Sequence, residues 1–483
     1  MRSEIGLIGL GVMGQGLAVN MAIHGHRVSV FNPTPELFDE FMRGRAALYP
    51  SIEGAADIRQ LVDSLECPRR IMLMIKSGPP VDSVISELVD FLSPGDIIID
   101  AGNSHFKDTI RRTRELAARG LLYLGIGISG GEEGALHGPS IMAGGSEAAW
   151  RSVENILSDI AAKAGGTVQC SGYLGPDGSG HFAKMVHNGI EYASMQLVAE
   201  TYHMMRCFLR MNPEEISDVF RIWNTRRLQS YLIEITSSIL AHSDGSTGKP
   251  IVDMIKDAAQ QKGTGMWSVF AALELGVPVP TIAAAVEARN MSALKEQRER
   301  ASGILAGPGL SSPVSVAEAS RKGQMIEEIE DALYASLVCA YAQGFALLCA
   351  ASIAYGWNLD SGQIASLWTG GCIIRAAFLN QIREAFDRNR GLCNLLLDEF
   401  FAGEVASCQD GWRSTVAAAA NGGLPAPAMA SALSYYDSYR LQVLPANLIQ
   451  AQRDYFGAHT YERIDADGAF HTHWPTGRER PAG

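Results

Sequence analysis

The segment KMVHNGIEY (184–192) holds the residues best suited to move protons. On a helix, at roughly 100° per residue, Lys184, His187, Asn188, Glu191 and Tyr192 fall at i, i+3, i+4, i+7 and i+8 and share a face of roughly 140°. Met185, Val186, Ile190 and Ala193 take the other side. Lysine and glutamate two turns apart are separated by about 10 Å along the axis. A small substrate fits that gap, with His187 and Asn188 donating hydrogen bonds midway. A lysine that is partly desolvated beside another positive charge drops from its usual pKa of about 10.4 toward neutrality. It can then accept a hydroxyl proton, while a carboxylic acid at the far end delivers one to a carbanion or enol. No metal is needed if the protonated lysine polarises a carbonyl. The bland alternative is a solvated polar face. The sequence around it argues otherwise, because the helix runs on through Met195, Leu197 and Val198, and Gly180 and Gly189 invite close backbone approach.

Other segments supply anion-binding chemistry. Ser129-Gly130-Gly131 ends an apolar run, and serine and glycine N–H groups at such a turn can hold a carboxylate. Gly102-Asn103 ends another run on the same expected edge, so Asn103 can touch both a cofactor and a substrate. Lys262, Thr264 and Arg289 are further candidates, as are Arg453 and His459, which sit among aromatics near the C-terminus.

Gly9-Leu10-Gly11-Val12-Met13-Gly14 is a G-x-G-x-x-G between an apolar run at Glu4–Leu10 and an apolar helical stretch over 15–24. That context is the one a dinucleotide site requires: a tight turn, a close backbone approach to a pyrophosphate, and a helix N-terminus aimed at it. A second run, Arg27–Asn32, follows and ends in Asn32-Pro33-Thr34. An acid there would bind a ribose 2′-OH and an arginine a 2′-phosphate. Neither is present, which leaves the choice between NAD and NADP open.

These pieces need a scaffold. Glu4–Leu10, Arg27–Asn32, Ile71–Ile75, Ile97–Asp100 and Leu121–Ile128 alternate with amphipathic stretches and predict an N-terminal, Rossmann-like, doubly wound parallel sheet over residues 1–178. From 179 to 437 helical periodicity takes over, predicting a large all-helical domain. NPEEISDVFRIW (212–223) resembles NLDSGQIASLW (358–368), each after an apolar helix, which suggests an internal duplication. Residues 438–483 lack sustained periodicity and read as an extended tail needing a surface to lie on, with TGRERPAG disordered.

Composition narrows the classes. With 483 residues, 47% hydrophobic and 19% charged, the chain is globular and has material for a large core. A net charge of −12 makes it a poor non-specific ligand for nucleic acid or anionic membrane. Its eight cysteines form no C-x-x-C pair and read as reduced thiols; no metal site is expected. Glu4 and the glycines at 6, 9 and 11 break up any secretory h-region, so a cytoplasmic location is expected. Ala332–Leu359 is uncharged and long enough to span a bilayer, but it is rich in Ala, Ser, Gly and Tyr and contains Gln343. A helix buried in the helical domain is expected there.

Taken together, GLGVMG, IIIDAGNSHFKDTIRR, GISGGEEGALHGPSIMAGG, GHFAKMVHNGIEYASMQL, KGTG, GCIIRAAFL and LPANLIQAQRDYFGAHTYERID closely resemble the decarboxylating 6-phosphogluconate dehydrogenases, in order and over nearly the whole chain. That resemblance implies oxidation of 6-phospho-D-gluconate at C3 with reduction of NADP, loss of carbon dioxide, and protonation of an enediol to ribulose 5-phosphate, in the pentose phosphate pathway or gluconate utilization. It implies Lys184 as base and Glu191 as acid. Asn103, Ser129, Gly130, Gly131, His187 and Asn188 are implied as carboxylate and hydroxyl contacts. Tyr192, Lys262, Thr264, Arg289 and a neighbouring subunit's Arg453 would hold the phosphate, and His459 would also come from that subunit, in a homodimer with exchanged tails. The nucleotide would lie on residues 9–14, on Asn32, Pro33 and Thr34, on Ile75, Lys76 and Ser77, and on Asn103.

Two departures stand out. Pro33 replaces the arginine that the family usually carries for the 2′-phosphate, which leaves room for NAD, although Lys76 could supply a cation. Asn290 and Met266 also differ from the family's common Tyr and Lys. The competing readings are a β-hydroxyacid dehydrogenase acting on an unphosphorylated acid, which would not need Lys262, Arg289 or Arg453, and a non-catalytic cofactor-binding protein, against which Lys184 and Glu191 argue.

Overall fold

The computed structural model describes residues 2–261, 263–308, 321–474 and 478–481. The chain divides into two compact units, Met1–Ala432 and Leu433–Gly483.

The first unit opens with an eight-stranded sheet. In chain order its strands are β1 (Ile5–Ile8), β2 (Val28–Phe31), β3 (Ile52–Gly54), β4 (Arg70–Leu73), β5 (Ile97–Asp100), β6 (Leu122–Ser129), β7 (Ser140–Gly145) and, after a two-stranded hairpin of β8 (Lys163–Ala164) and β9 (Val168–Gln169), β10 (Ser171–Gly175). They lie in the order β10-β7-β6-β5-β4-β1-β2-β3. The five apolar runs are β1, β2, β4, β5 and β6, all parallel as expected. These strands are buried on both faces, so they read as continuous apolar runs. Along β5, Ile97 and Ile99 face the core shared with Leu17 and Met21, while Ile98 faces the one shared with Leu61 and Leu88.

The sheet is not wholly parallel. β7 runs antiparallel to β6, and β10 pairs parallel to β7. Ten residues separate β6 from β7, and they hold only the seven-residue helix Gly131–His137. A parallel crossover needs about a dozen residues or more, so the chain turns back.

Two long helices dominate the rest of this unit, Ser179–Cys207 and Lys322–Tyr355. The second is long and apolar enough to cross a membrane, yet 67% of its most apolar window is buried within the protein. Its Gln343 is satisfied there, accepting from the Thr281 N–H at 3.0 Å and donating to Thr281 Oγ1 at 2.8 Å. Both members of the suspected duplication are short helices following a long one. Pro213–Trp223 is capped by Asn212 and Ser361–Leu367 by Asp360, and each sequence motif ends on a buried tryptophan, Trp223 or Trp368. Both caps place a side-chain oxygen on an otherwise unpaired first-turn N–H.

The second unit has more regular structure than its sequence suggested. It contains the helix Ala446–Gly457 and an antiparallel sheet of β11 (Tyr461–Glu462), β12 (Ala469–His473) and β13 (Arg478–Pro481). The organising group is the buried carboxylate of Asp454. It accepts from the N–H groups of Thr460 and Thr472 and from Trp474 Nε1, each at 3.1 Å, and from His471 Nδ1 at 2.9 Å. One polar residue replaces the apolar period that a sequence reading looks for. The backbone of residues 478–481, read as disordered, forms β13.

Candidate active site

The central helix Ser179–Cys207 lies against β6 and β7 closely enough that side chains are excluded from the seam. A Cβ on Gly127 would sit 2.3 Å from Lys184 Cβ, and one on Gly180 would sit 2.5 Å from the carbonyl oxygens of Gly125 and Met142. A third helix, Thr264–Glu274, meets the same rod at Gly189, where an added Cβ would lie 2.8 Å from Ser268 Oγ, and that hydroxyl donates to Met185 O at 2.7 Å. The glycines at 180 and 189 therefore do what their positions suggested. Together these contacts bring the polar stripe to the carboxyl end of β6, where an open parallel sheet binds ligands.

A cavity of about 440 Å³ opens there. Lys184, Asn188, Glu191 and Tyr192 line it from the central helix, Ser129, Gly130 and Gly131 from the end of β6, Asn103 from the loop after β5, and Met13 from the glycine loop. Thr264 and Arg289 complete it. The Arg289 guanidinium lies 3.5 Å from the centroid of the Tyr192 ring, so a fixed cation stands over an aromatic floor. Lys262 lies outside the described residues. Arg453 and His459 belong to the second unit, where Arg453 donates to Gln450 at 3.1 Å and His459 meets Phe456 edge-on.

The stripe is not a solvated face: Lys184 is 7% exposed and His187 0%. Lys184 Nζ donates to Ser129 Oγ at 3.1 Å. Burial pushes the Lys184 amine below its usual pKa, with the Glu191 charge opposing, and pushes the Glu191 carboxyl above its own, with Lys184 and Arg289 opposing. A base and an acid made ready by desolvation thus share one cavity.

His187 is fully buried directly behind the residues that line the cavity. Nε2 is 3.1 Å from Ser129 Oγ, Nδ1 is 3.2 Å from Asn188 Oδ1 and 3.7 Å from Glu191 Oε2, and the ring meets Trp368 edge-on. Burial and the nearby Lys184 drive its pKa well down, so the ring is neutral. It aligns Ser129, Asn188 and Glu191 from behind.

The glycine loop has the geometry a dinucleotide needs. Gly9 has φ +107°, and a Cβ on Gly14 would lie 1.9 Å from Gly9 O. A Cβ on Gly11 would meet nothing within 4 Å, and Gly11 begins the helix Val12–Ile23 with no side-chain cap, so its first N–H groups face open space where a pyrophosphate fits. Two of the expected contacts also brace the loop itself. Asn32 Oδ1 accepts the Leu10 N–H at 2.9 Å and its Nδ2 donates to Thr34 O at 3.1 Å; Leu10 is fully buried and its carbonyl accepts from Gln15 Nε2. Val12, Pro33, Thr34 and Lys76 are exposed around this loop, with Ile75 and Ser77 half-buried.

Several cavity residues were not anticipated: Ile128, Met195, Gln260, Gln261 and Ile373. Met195 was findable, since it lies eleven residues after Lys184 and so on the same helical face. Gln260 and Gln261 adjoin the anticipated Lys262, and the Gln261 side-chain amide donates to Asn290 Oδ1 at 2.8 Å.

Comparison with known proteins agrees over the full length. Residues 4–175 match the family described as the NAD binding domain of 6-phosphogluconate dehydrogenase, and residues 180–474 the one described as its C-terminal domain. The chain is 51% identical over 473 residues to the NADP(+)-dependent, decarboxylating 6-phosphogluconate dehydrogenase of Bacillus subtilis, covering 98% of this chain and 99% of that one. It is 50% identical over 474 residues to the decarboxylating enzyme of Mus musculus, covering 98% and 97%. A solved structure of Plasmodium falciparum 6-phosphogluconate dehydrogenase, studied in apo form, with NADP+ and with 6-phosphogluconate, superposes with a TM-score of 0.91 at 41% identity, covering 98% of this chain and all of that one.

Proposed function

The chain belongs to the 6-phosphogluconate dehydrogenase family, and on that premise we propose how its residues divide the work. The enzyme oxidises 6-phospho-D-gluconate and decarboxylates it to ribulose 5-phosphate and carbon dioxide, with NADP as oxidant. The observation that carries the reading is the cavity in which a desolvated Lys184 and Glu191 face the same space, ringed by Ser129, Gly130, Gly131, Asn188, Thr264 and Arg289.

NADP, when bound, would supply the acceptor for the hydride leaving C3. The glycine loop and the N-terminus of Val12–Ile23 would hold its pyrophosphate, and Asn103 and Met13, which line the cavity, would meet its reacting end. Lys184, neutral because it is buried, takes the proton of the C3 hydroxyl, and Ser129 Oγ holds the resulting ammonium in place. That ammonium then returns a proton to the C3 oxygen as the carboxylate leaves, which stabilises the enediol. Glu191, whose carboxyl burial biases toward the protonated form, delivers a proton to the substrate's former C2, which becomes C1 of ribulose 5-phosphate, while Lys184 takes the hydroxyl proton back from the oxygen of the former C3 to leave the ketone. The main-chain groups of Gly130 and Gly131 and the amides of Asn103 and Asn188 orient the carboxylate and hydroxyls, while Arg289, Tyr192, Thr264 and Lys262 take the phosphate. Arg453 and His459 of a second copy complete the site in a cytoplasmic homodimer with exchanged tails.

An unphosphorylated β-hydroxy acid is the weaker alternative, because Arg289 and Thr264 line the cavity with no counter-anion of a smaller acid to meet. Turnover of 6-phosphogluconate against 3-hydroxyisobutyrate, following NADPH and carbon dioxide together, tests the choice. Reduction without carbon dioxide release, or a preference for the unphosphorylated acid, would overturn the reading.

A further inference from the structure

The loops that follow β4 and β5 frame the crevice beside the glycine loop, because β4 neighbours β1 and β5 neighbours β4. One carries Ile75, Lys76 and Ser77, the other Asn103. They touch each other, since a Cβ on Gly102 would lie 2.9 Å from Ile75 O. Both are fastened to one side chain. Arg112, on the helix Phe106–Ala117, is 1% exposed. Its Nε donates to Asp82 Oδ1 at 2.8 Å and its Nη2 to Asp82 Oδ2 at 3.1 Å. Nη2 also donates to Gly78 O at 3.1 Å, at the end of the first loop. Nη1 reaches Asp100 Oδ2 at 3.3 Å and Ser104 Oγ at 3.4 Å, on either side of Asn103. The fully buried Asp100 accepts from Tyr123 Oη at 3.0 Å and from the Gly102 N–H at 3.2 Å.

A buried ion cluster is poor evidence for stability, because desolvation offsets the attraction and apolar residues would fill the space as well. What it does supply is fixed geometry: a planar fork with donors in set directions. Here those directions end on Asp82, in the first turn of the helix Pro79–Val89 into which the first loop runs, on the Gly78 carbonyl that ends that loop, and on Asp100 and Ser104 flanking the second.

We infer that Arg112 is a positioning residue that sets the spacing of residues 75–78 and 101–104, and through Asn103 the placement of the cofactor's reacting end over Lys184. The inference rests on the crevice being the dinucleotide site. Arg112 does not touch the cofactor; it acts through Asp100, Ser104 and the Gly78 carbonyl.

The test uses full-length Arg112→Lys, which keeps the charge but loses the fork, and Asp82→Asn, whose side chain is 38% exposed and whose replacement leaves the core intact. NADPH affinity is read by fluorescence titration without substrate, and 6-phosphogluconate affinity by calorimetry without cofactor. Arg112→Lys should weaken NADPH about tenfold or more. Asp82→Asn should weaken it several-fold, and the double variant should be no worse than Arg112→Lys alone. 6-Phosphogluconate affinity should stay within about threefold, since only Asn103 among its contacts stands on these loops. Unchanged NADPH affinity in a folded Arg112→Lys protein, or parallel loss of both ligands, overturns the assignment. If Arg112→Lys does not fold, Asp82→Asn decides on the same criterion. Failure of the unaltered protein to bind NADPH would strike the dinucleotide reading itself.

Discussion

Lys184 and Glu191 are held by the backbone of one 29-residue helix, whereas Lys76 and Asn103 stand on separate loops joined through a buried arginine. In the substrate cavity, spacing follows from helical geometry, and burial of the same helix tunes both reacting groups. In the nucleotide crevice, spacing depends on side chains remote from the ligand. Proton transfer demands the tighter tolerance, and it is built on the stiffer element. A long cofactor bound through many weak contacts tolerates loops.

The sharpest way to break this contrast is at the lysine. Lys184→Ala should lower kcat by about 10³–10⁴-fold with both ligands still bound, as calorimetry would show. A parallel loss of binding would mean that the helix carries affinity rather than chemistry. Glu191→Gln should cost about 10²-fold and spare the first step, so stopped-flow NADPH formation stays fast while ribulose 5-phosphate appears slowly.

The pH profile of kcat/KM sharpens the same point. Lys184 must be neutral and its pKa is lowered, so activity falls on the acid side as the amine takes a proton. Glu191 must be protonated and its pKa is raised, so activity falls on the alkaline side as the carboxyl ionises. The two titrate as a coupled pair, and Glu191→Gln should remove the alkaline limb. Asp82, whose pKa the Arg112 hydrogen bonds hold down at about 2, stays ionised throughout, so the Arg112 cluster adds no pH dependence of its own to NADPH affinity over the same range.

Smaller effects probe the seam and the rim. Gly127→Ala would push a methyl toward Lys184 and should destabilise by about 1–3 kcal/mol, measured by urea unfolding, with a fall in kcat of about tenfold. Pro33→Arg, on the exposed rim, should raise kcat/KM for NADP relative to NAD several-fold by adding a charge-assisted contact to the 2′-phosphate. An unchanged ratio would show that the rim does not select the cofactor.

Five strands, the glycine loop and the catalytic face were legible because each obeys a local period. The segment SIMAGG (140–145) is β7, though it was not among the runs the sequence marked as strands. Its glycines are there for tertiary reasons, since a Cβ on Gly144 would lie 2.3 Å from the Gly180 nitrogen, so the usual β-branched signal is missing. Helical spacing put His187 on the reactive face correctly, but only Ser129 and Trp368, far away in sequence, show that it sits behind the cavity wall. Arg112 follows Arg111 on an amphipathic helix, and nothing local separates the exposed residue from the buried one. Asp82 pairs with both; Asp100, which only Arg112 reaches, makes the distinction, and it comes from another element.

The contact between Gly127 and Lys184 also limits how the enzyme can be hardened. Replacing glycines with larger residues is a common route to a more heat-resistant protein, but along this join the room a methyl would take is already filled by the stem of the proton acceptor. Bulk added there would cost turnover and endurance alike, so an engineer, like natural drift, must seek robustness elsewhere in the molecule.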